Sequence, residues 1–198
     1  MGWRRNVQTE LVVAAERMGY MGQELLKAHK FTVERCSYRI NGRTVERELV
    51  VHPGAVAILP LLDNGQVVMI RNYRFSVGAE LLELPAGTLE VPEPPIECAA
   101  RELVEETGYV ASHLELLCSF YTSPGFTNER MFVFVATGLR FEGARPEADE
   151  QIRVVTMPLD DAFEATADGR IMDGKTIAAL QVYRYRQSRS QGQQIKIT

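Results

Sequence analysis

Between Gly87 and Tyr109 the chain reads Gly-Thr-Leu-Glu-Val-Pro-Glu-Pro-Pro-Ile-Glu-Cys-Ala-Ala-Arg-Glu-Leu-Val-Glu-Glu-Thr-Gly-Tyr, a glycine-led loop that turns into a helix. Ile96, Ala99, Ala100, Leu103 and Val104 recur at helical spacing and predict one apolar face. Pro94 and Pro95 suit a helix start, where missing N–H groups have no intrahelical partner. Gly108 suits the left-handed residue that ends it. Near that end stand Glu102, Glu105 and Glu106. Positions three and four apart share a face, with Cβ atoms about 5–6 Å from each other.

Such clustering opposes the helix's own electrostatics, since negative charge is unfavourable towards a helix C-terminus. Two like charges about 5 Å apart, at an effective dielectric of about 20, repel by roughly 3 kcal/mol. Arg101 can relieve one carboxylate, with Glu105 one turn later the first choice, but it cannot serve all three. A hard divalent cation turns the repulsion into coordination, because Mg²⁺ and Mn²⁺ prefer carboxylate, carbonyl and water oxygens. The competing reading is a plain solvated acidic face, which leaves the repulsion unexplained.

As a pattern, the segment is Gly87, five residues, Glu93, seven residues, then Arg101-Glu102-Leu103-Val104-Glu105-Glu106-Thr107-Gly108-Tyr109. This resembles the signature of the Nudix hydrolases, which cleave nucleoside diphosphates linked to another moiety. Every charged and glycine position is present. Tyr109 departs from the usual aliphatic residue, which changes packing and leaves the chemistry intact. The resemblance spans about Ala55 to Arg186 and implies an α/β fold, an α/β/α sandwich with a mixed sheet.

The rest of the chain accommodates that expectation. Its 198 residues make one domain, or a domain with a small extension, and 45% apolar with 24% charged residues is ordinary for a globular protein. We divide it into an N-terminal extension with a β-hairpin at 1–54, a catalytic domain at 55–187 and a polar tail at 188–198. A net charge of −4 argues against a general nucleic-acid binder. Cys36, Cys98 and Cys118 form neither a metal spacing nor a disulfide framework, which suits a reducing cytoplasm. No signal peptide, myristoylation motif or membrane-length apolar run is visible, so no membrane partner is expected.

Taken in order, Leu11–Leu26 is expected to be partly helical. Phe31–Ile40 and Thr44–Val51 form a hairpin about Asn41-Gly42, and Ala55–Leu62 and Gln66–Arg74 form another about Asp63-Asn64-Gly65. Leu81–Leu84, Leu114–Tyr121, Met131–Ala136 and Ile152–Met157 read as strands. Asp160–Asp168 and Gly174–Arg186 read as helices. A lone hairpin is marginal in water, so the first needs a packing surface, from the rest of the domain or a second subunit.

Ser123-Pro124-Gly125-Phe126-Thr127-Asn128-Glu129-Arg130, the Leu-Leu-Glu-Leu-Pro-Ala-Gly run and Asn72-Tyr73-Arg74 resemble the ADP-ribose pyrophosphatase branch. That resemblance implies a homodimer built by the N-terminal sheet. It assigns substrate contacts to Arg47, Arg74, Pro124, Gly125 and Glu129, and arginine forks suit phosphate and ribose oxygens. It makes Mg²⁺, or Mn²⁺, the cofactor, held by Glu102, Glu106, Glu150 and the carbonyl of Ala86. Glu105 then holds Arg101 or a metal-bound water. The acidic run Glu147-Ala148-Asp149-Glu150 supplies a base, and because Ala148 stands where the branch places it, Glu147, Asp149 and Glu150 stay open for that role. The implied reaction is attack of water on one phosphorus of ADP-ribose, giving AMP and ribose 5-phosphate. GDP-mannose and other nucleotide sugars remain alternatives, as does a non-catalytic nucleotide-binding module, which would be expected to lose a helix glutamate.

Overall fold

The computed structural model describes residues 21–90, 92–143 and 152–193, which fall into two compact units. The first unit contains the described residues up to Gly54 together with Tyr121–Arg130. Strands β1 (Met21–Lys27), β2 (Thr32–Ile40) and β3 (Arg43–Val51) form an antiparallel sheet in that order. Asn41 and Gly42 both take positive φ, 51° and 77°, the backbone a two-residue hairpin turn requires, and Ile40 pairs with Arg43 across it. The expectation of partial helix over Leu11–Leu26 fails for its described part. Met21 to Lys27 pairs with Ser37 to Thr32 as an edge strand, so hydrogen bonds offered by β2 override a weak local preference. Residues 11–20 lie outside the described residues.

The 121–130 segment joins this unit by hydrogen bonds to β3. Val50 N–H donates to the Phe126 carbonyl at 2.8 Å, and the His52 N–H donates to Asn128 Oδ1 at 2.7 Å. Nothing in the local pattern of 121–130 announces this pairing, which joins residues more than seventy positions apart.

The second unit begins with β4 (Ala55–Pro60), β5 (Gln66–Arg74), β6 (Ala79–Glu83) and β7 (Ala86–Thr88). It continues with α1 (Pro95–Thr107), β8 (Tyr109–Tyr121), β9 (Arg130–Phe141), β10 (Ile152–Pro158), α2 (Leu159–Asp168) and α3 (Gly174–Gln193). One sheet is mixed, in the order β7-β4-β9-β8, with β4 parallel to β9 and antiparallel to β7. A second, antiparallel sheet has the order β10-β5-β6. The expected hairpin of β4 with β5 is therefore corrected. The Asp63-Asn64-Gly65 turn forms, but beyond a single Leu61–Val67 bridge the strands enter different sheets. All six residues of β4 are buried, and such an uninterrupted apolar run belongs at the centre of a sheet covered on both faces.

The pleat of β4 divides two cores. Ala55, Ala57 and Leu59 join Met131 and Val133 of β9 and Ala179 and Leu180 of α3. Val56 and Ile58, at the alternate positions, are equally buried on the opposite face, and α1 packs on β4 and β7. Helix α3 runs to Gln193, past Arg186, where the sequence pattern ends it, and into the expected polar tail. Side-chain pairs one turn apart, Gln187 with Tyr183 and Arg189 with Tyr185, accompany that polar continuation.

Candidate active site

Helix α1 starts at Pro95 after an extended Pro94, and no side chain caps it. It stops at Gly108, whose φ of 76° lets its N–H reach the Val104 carbonyl at 2.8 Å. The buried face differs from the expected apolar stripe. Cys98, Ala99, Glu102, Leu103 and Glu106 are buried, whereas Ile96 and Ala100 are exposed. Two of the three clustered glutamates thus sit on the packed face, and the last turn holds no basic residue to answer them. Buried carboxylates require hydrogen-bonding or charged partners.

Arg101 is one such partner. Its Nη1 donates to Glu102 Oε1 at 2.7 Å and to Glu105 Oε2 at 2.9 Å. Its Nε and Nη2 form a fork on Glu93, at 2.9 and 3.0 Å, and Nη2 lies 3.4 Å from Cys98 Sγ. Glu106 is met from the backbone, since the Ala86 N–H donates to its Oε2 at 2.8 Å. Gly87 is equally constrained: a Cβ there would overlap the Glu102 carboxyl group. Strand β7 therefore lies directly against both buried carboxylates. Hydrogen bonding from Arg101 holds the Glu93 carboxyl below its ordinary value, and Glu93 in turn holds the guanidinium charged. Burial pushes the Cys98 thiol up, with the charges of Glu93 and Glu102 adding to it, which disfavours the thiolate.

A second charged cluster lies in the same unit. Glu83 is fully buried and accepts from Arg74 Nε at 2.8 Å and Arg74 Nη2 at 2.6 Å, and also from Lys175 Nζ of α3. Lys175 pairs further with Asp173 at 3.0 Å. Asp173 Oδ2 accepts from both the N–H and the hydroxyl of Thr176, capping α3, and the Leu84 N–H donates to that hydroxyl oxygen. Burial alone would raise the Glu83 carboxyl, but the Arg74 hydrogen bonds and the Lys175 charge outweigh it and hold it low. The sequence pattern singled out Arg74 and missed Lys175. A lysine in the first turn of a helix opposes the helix dipole, and that was the available signal of a buried partner.

A model of the NUDIX domain matches residues 51–180, which include both clusters. The chain belongs to the Nudix hydrolase family. Among its relatives are a methanol dehydrogenase activator of Bacillus methanolicus, 42% identical over 71% of this chain and 77% of its own, and an ADP-ribose pyrophosphatase of Bacillus subtilis (strain 168), 41% identical with the same coverage. A GDP-mannose pyrophosphatase of Pectobacterium atrosepticum is 36% identical over 80% of this chain and 90% of its own. The crystal structure of an ADP compounds hydrolase shares the fold, with a TM-score of 0.74 at 24% identity over 86% of this chain and 93% of that one.

Of the site residues expected for this Nudix hydrolase, the second unit brings together Ala86, Arg101, Glu102, Glu105 and Glu106. Arg74 lies in the same unit; hydrogen bonding to Glu83 chiefly holds its guanidinium charged, and the Glu106 charge adds a smaller share. Arg47, Pro124, Gly125 and Glu129 belong to the first unit. There Arg47 is exposed on β3 and donates to the neighbouring Glu46 carbonyl at 2.7 Å. Pro124 and Gly125 are exposed in the turn closed by the Ser123 carbonyl. Glu129 accepts from the Thr122 hydroxyl at 2.6 Å and lies 3.8 Å from His52 Nδ1, which ties the loop to β3. Burial lowers the His52 pKa, and the Glu129 charge opposes that only in part. Glu147, Asp149 and Glu150 lie outside the described residues.

Among the described residues no three His, Cys, Asp or Glu side chains converge as a complete metal site. The donor chemistry nevertheless fits a hard divalent cation. Glu102 and Glu106 are buried oxygen donors on one helix face, set against the β7 backbone.

Proposed function

We propose that this Nudix hydrolase cleaves the diphosphate of ADP-ribose, giving AMP and ribose 5-phosphate, in the cytoplasm and as a homodimer. The observation that carries the reading is the acid excess on α1. Glu102, Glu105 and Glu106 lie on it and Glu93 just before it; Arg101 bonds Glu93, Glu102 and Glu105, and the Ala86 N–H bonds Glu106. The ADP-ribose pyrophosphatase of Bacillus subtilis supports the substrate. The free thiols Cys36, Cys98 and Cys118 support a reducing setting. Exposed Leu25, Leu26 and Ile40 on the first unit's sheet support a second subunit as its packing partner.

Glu102 and Glu106 would hold Mg²⁺ or Mn²⁺, completed by Glu150 and the Ala86 carbonyl. The cation, when bound, lowers the pKa of a bound water and neutralises charge on the phosphate oxygens. Glu105 shares Arg101 Nη1 with Glu102, so it orients the guanidinium and through it the Glu102 carboxylate. Arg74 commits Nε and Nη2 to Glu83, and its Nη1 makes no hydrogen bond among the described residues. That edge suits a diphosphate oxygen. Pro124, Gly125 and Glu129 are assigned to the terminal ribose and Arg47 to a substrate contact, and the base is one of Glu147, Asp149 and Glu150.

The test is kcat/KM for ADP-ribose, ADP-glucose, GDP-mannose and a deoxynucleoside triphosphate under one Mg²⁺ concentration. ADP-ribose is expected to exceed the triphosphate by on the order of 100-fold, since polar groups left unpaired by a missing sugar cost about 1–3 kcal/mol each. A faster triphosphate overturns the substrate class. A faster GDP-mannose, the substrate named for the Pectobacterium relative, keeps the chemistry and moves the substrate. No turnover of any of them favours a binding module.

A further inference from the structure

We propose that Lys175, at the start of α3, is a positioning residue for this reaction: it holds the Glu83 carboxylate, which in turn sets the Arg74 fork and leaves Nη1 for the substrate diphosphate. The inference rests on the proposed role of Arg74 and goes beyond it by bringing the C-terminal helix into the active site. Lys175 is only 12% exposed, although its own helix disfavours a cation at that position. A buried lysine loses both hydration and rotamer freedom, so its partners must offset that cost.

Docking of the helix does not require it. Thr176 already ties α3 to Leu84, just past β6, by accepting from its N–H, and Asp173 already caps the first turn. What Lys175 adds is charge balance and geometry. Arg74 and Lys175 answer Glu83 and Asp173, two cations for two anions. Without Lys175, Arg74 faces both carboxylates alone, and its positive charge is consumed by the protein before a phosphate arrives. The Glu83 carboxylate also loses its second donor on Oε2, the oxygen that Arg74 Nη2 shares with Lys175. A bidentate guanidinium is effective only while its acceptor is held in the plane of its fork.

The experiment is a double-mutant cycle on the full chain with Mg²⁺ and ADP-ribose. Lys175→Met is expected to raise KM about tenfold, the scale of groups that orient a substrate-binding residue, while changing kcat less than about threefold. Lys175→Arg, which keeps the charge, should recover most of that loss. In an Arg74→Ala background, Lys175→Met should raise KM by less than about twofold, because the residue it positions is gone. Equal factors in the two backgrounds, or an unchanged KM in Lys175→Met, overturn the coupling. An Arg74→Ala variant with unchanged KM instead overturns the substrate role of Arg74, and the inference falls with it. Should Lys175→Met fail to fold, Lys175→Gln keeps the polar contact without the charge and enters the same cycle with the same criteria.

Discussion

The two charged clusters of the catalytic unit are built from the same residue types and balanced in opposite ways. Around Glu83, cations equal anions, and every charged group has a partner within the protein. Around Arg101, one guanidinium serves Glu93, Glu102 and Glu105, and a backbone N–H meets Glu106. A balanced buried cluster fixes geometry, because both carboxylates are answered by cations before substrate arrives and only the outer edge of Arg74 is left over. An acid-rich cluster on a packed helix face stays costly until a cation joins it. On the proposed function, the difference separates the part of the site that holds shape from the part that takes the cation.

The largest test of that contrast removes an anion from the acid-rich side. Glu106→Gln keeps an acceptor for the Ala86 N–H and so should keep the fold. It should lower kcat by at least about 100-fold, since the proposed function makes Glu106 a direct ligand and not an outer one. The comparison breaks if activity persists in this variant, or in wild-type protein with excess chelator. Gly87→Ala comes next. It forces the Glu102 carboxyl off β7 without altering any charge, and a displacement on the order of 1 Å at a catalytic group can cost about 100-fold. We expect a loss of about 10- to 100-fold in kcat/KM, with the far-ultraviolet spectrum unchanged.

The smallest effect concerns the balanced side and is read as stability. Glu83 has a depressed pKa when folded, so its contribution is present above the ordinary carboxylate value of about 4.3 and is lost as pH falls through the folded value. Glu83→Gln should lower stability at pH 7 by about 2 kcal/mol, as expected for hydrogen bonds to a charged group, and should flatten the acid limb of a denaturation profile. Glu93, also depressed but on the side of the acid-rich cluster, should flatten it less when changed to Gln, because it is more exposed. Equal flattening would show that the two clusters do not differ in how much stability they contribute.

Much of this architecture was legible because its signals are local. The ends of α1 follow from proline and glycine chemistry over a few residues. The first hairpin follows from Asn41-Gly42, whose backbone the turn demands. Strand β1 was missed because its partner, not its composition, makes it a strand. The β4–β5 hairpin failed for a related reason: its turn is local, but the neighbours of β4 are β7 and β9, chosen by burial on both faces.

By itself the sequence determined the family, the helix that carries Glu102, Glu105 and Glu106, and an acid excess that Arg101 cannot balance, since spacing along one helix settles which residues are neighbours. Only the tertiary structure decided which face of α1 is buried, and hence that Glu102 and Glu106 lie against β7 while Ile96 does not. It alone joined Glu83 to Lys175, ninety-two residues apart. Helical periodicity defines a stripe, but its orientation is set by the strands it packs on. A contact between distant segments leaves no periodic trace in either of them.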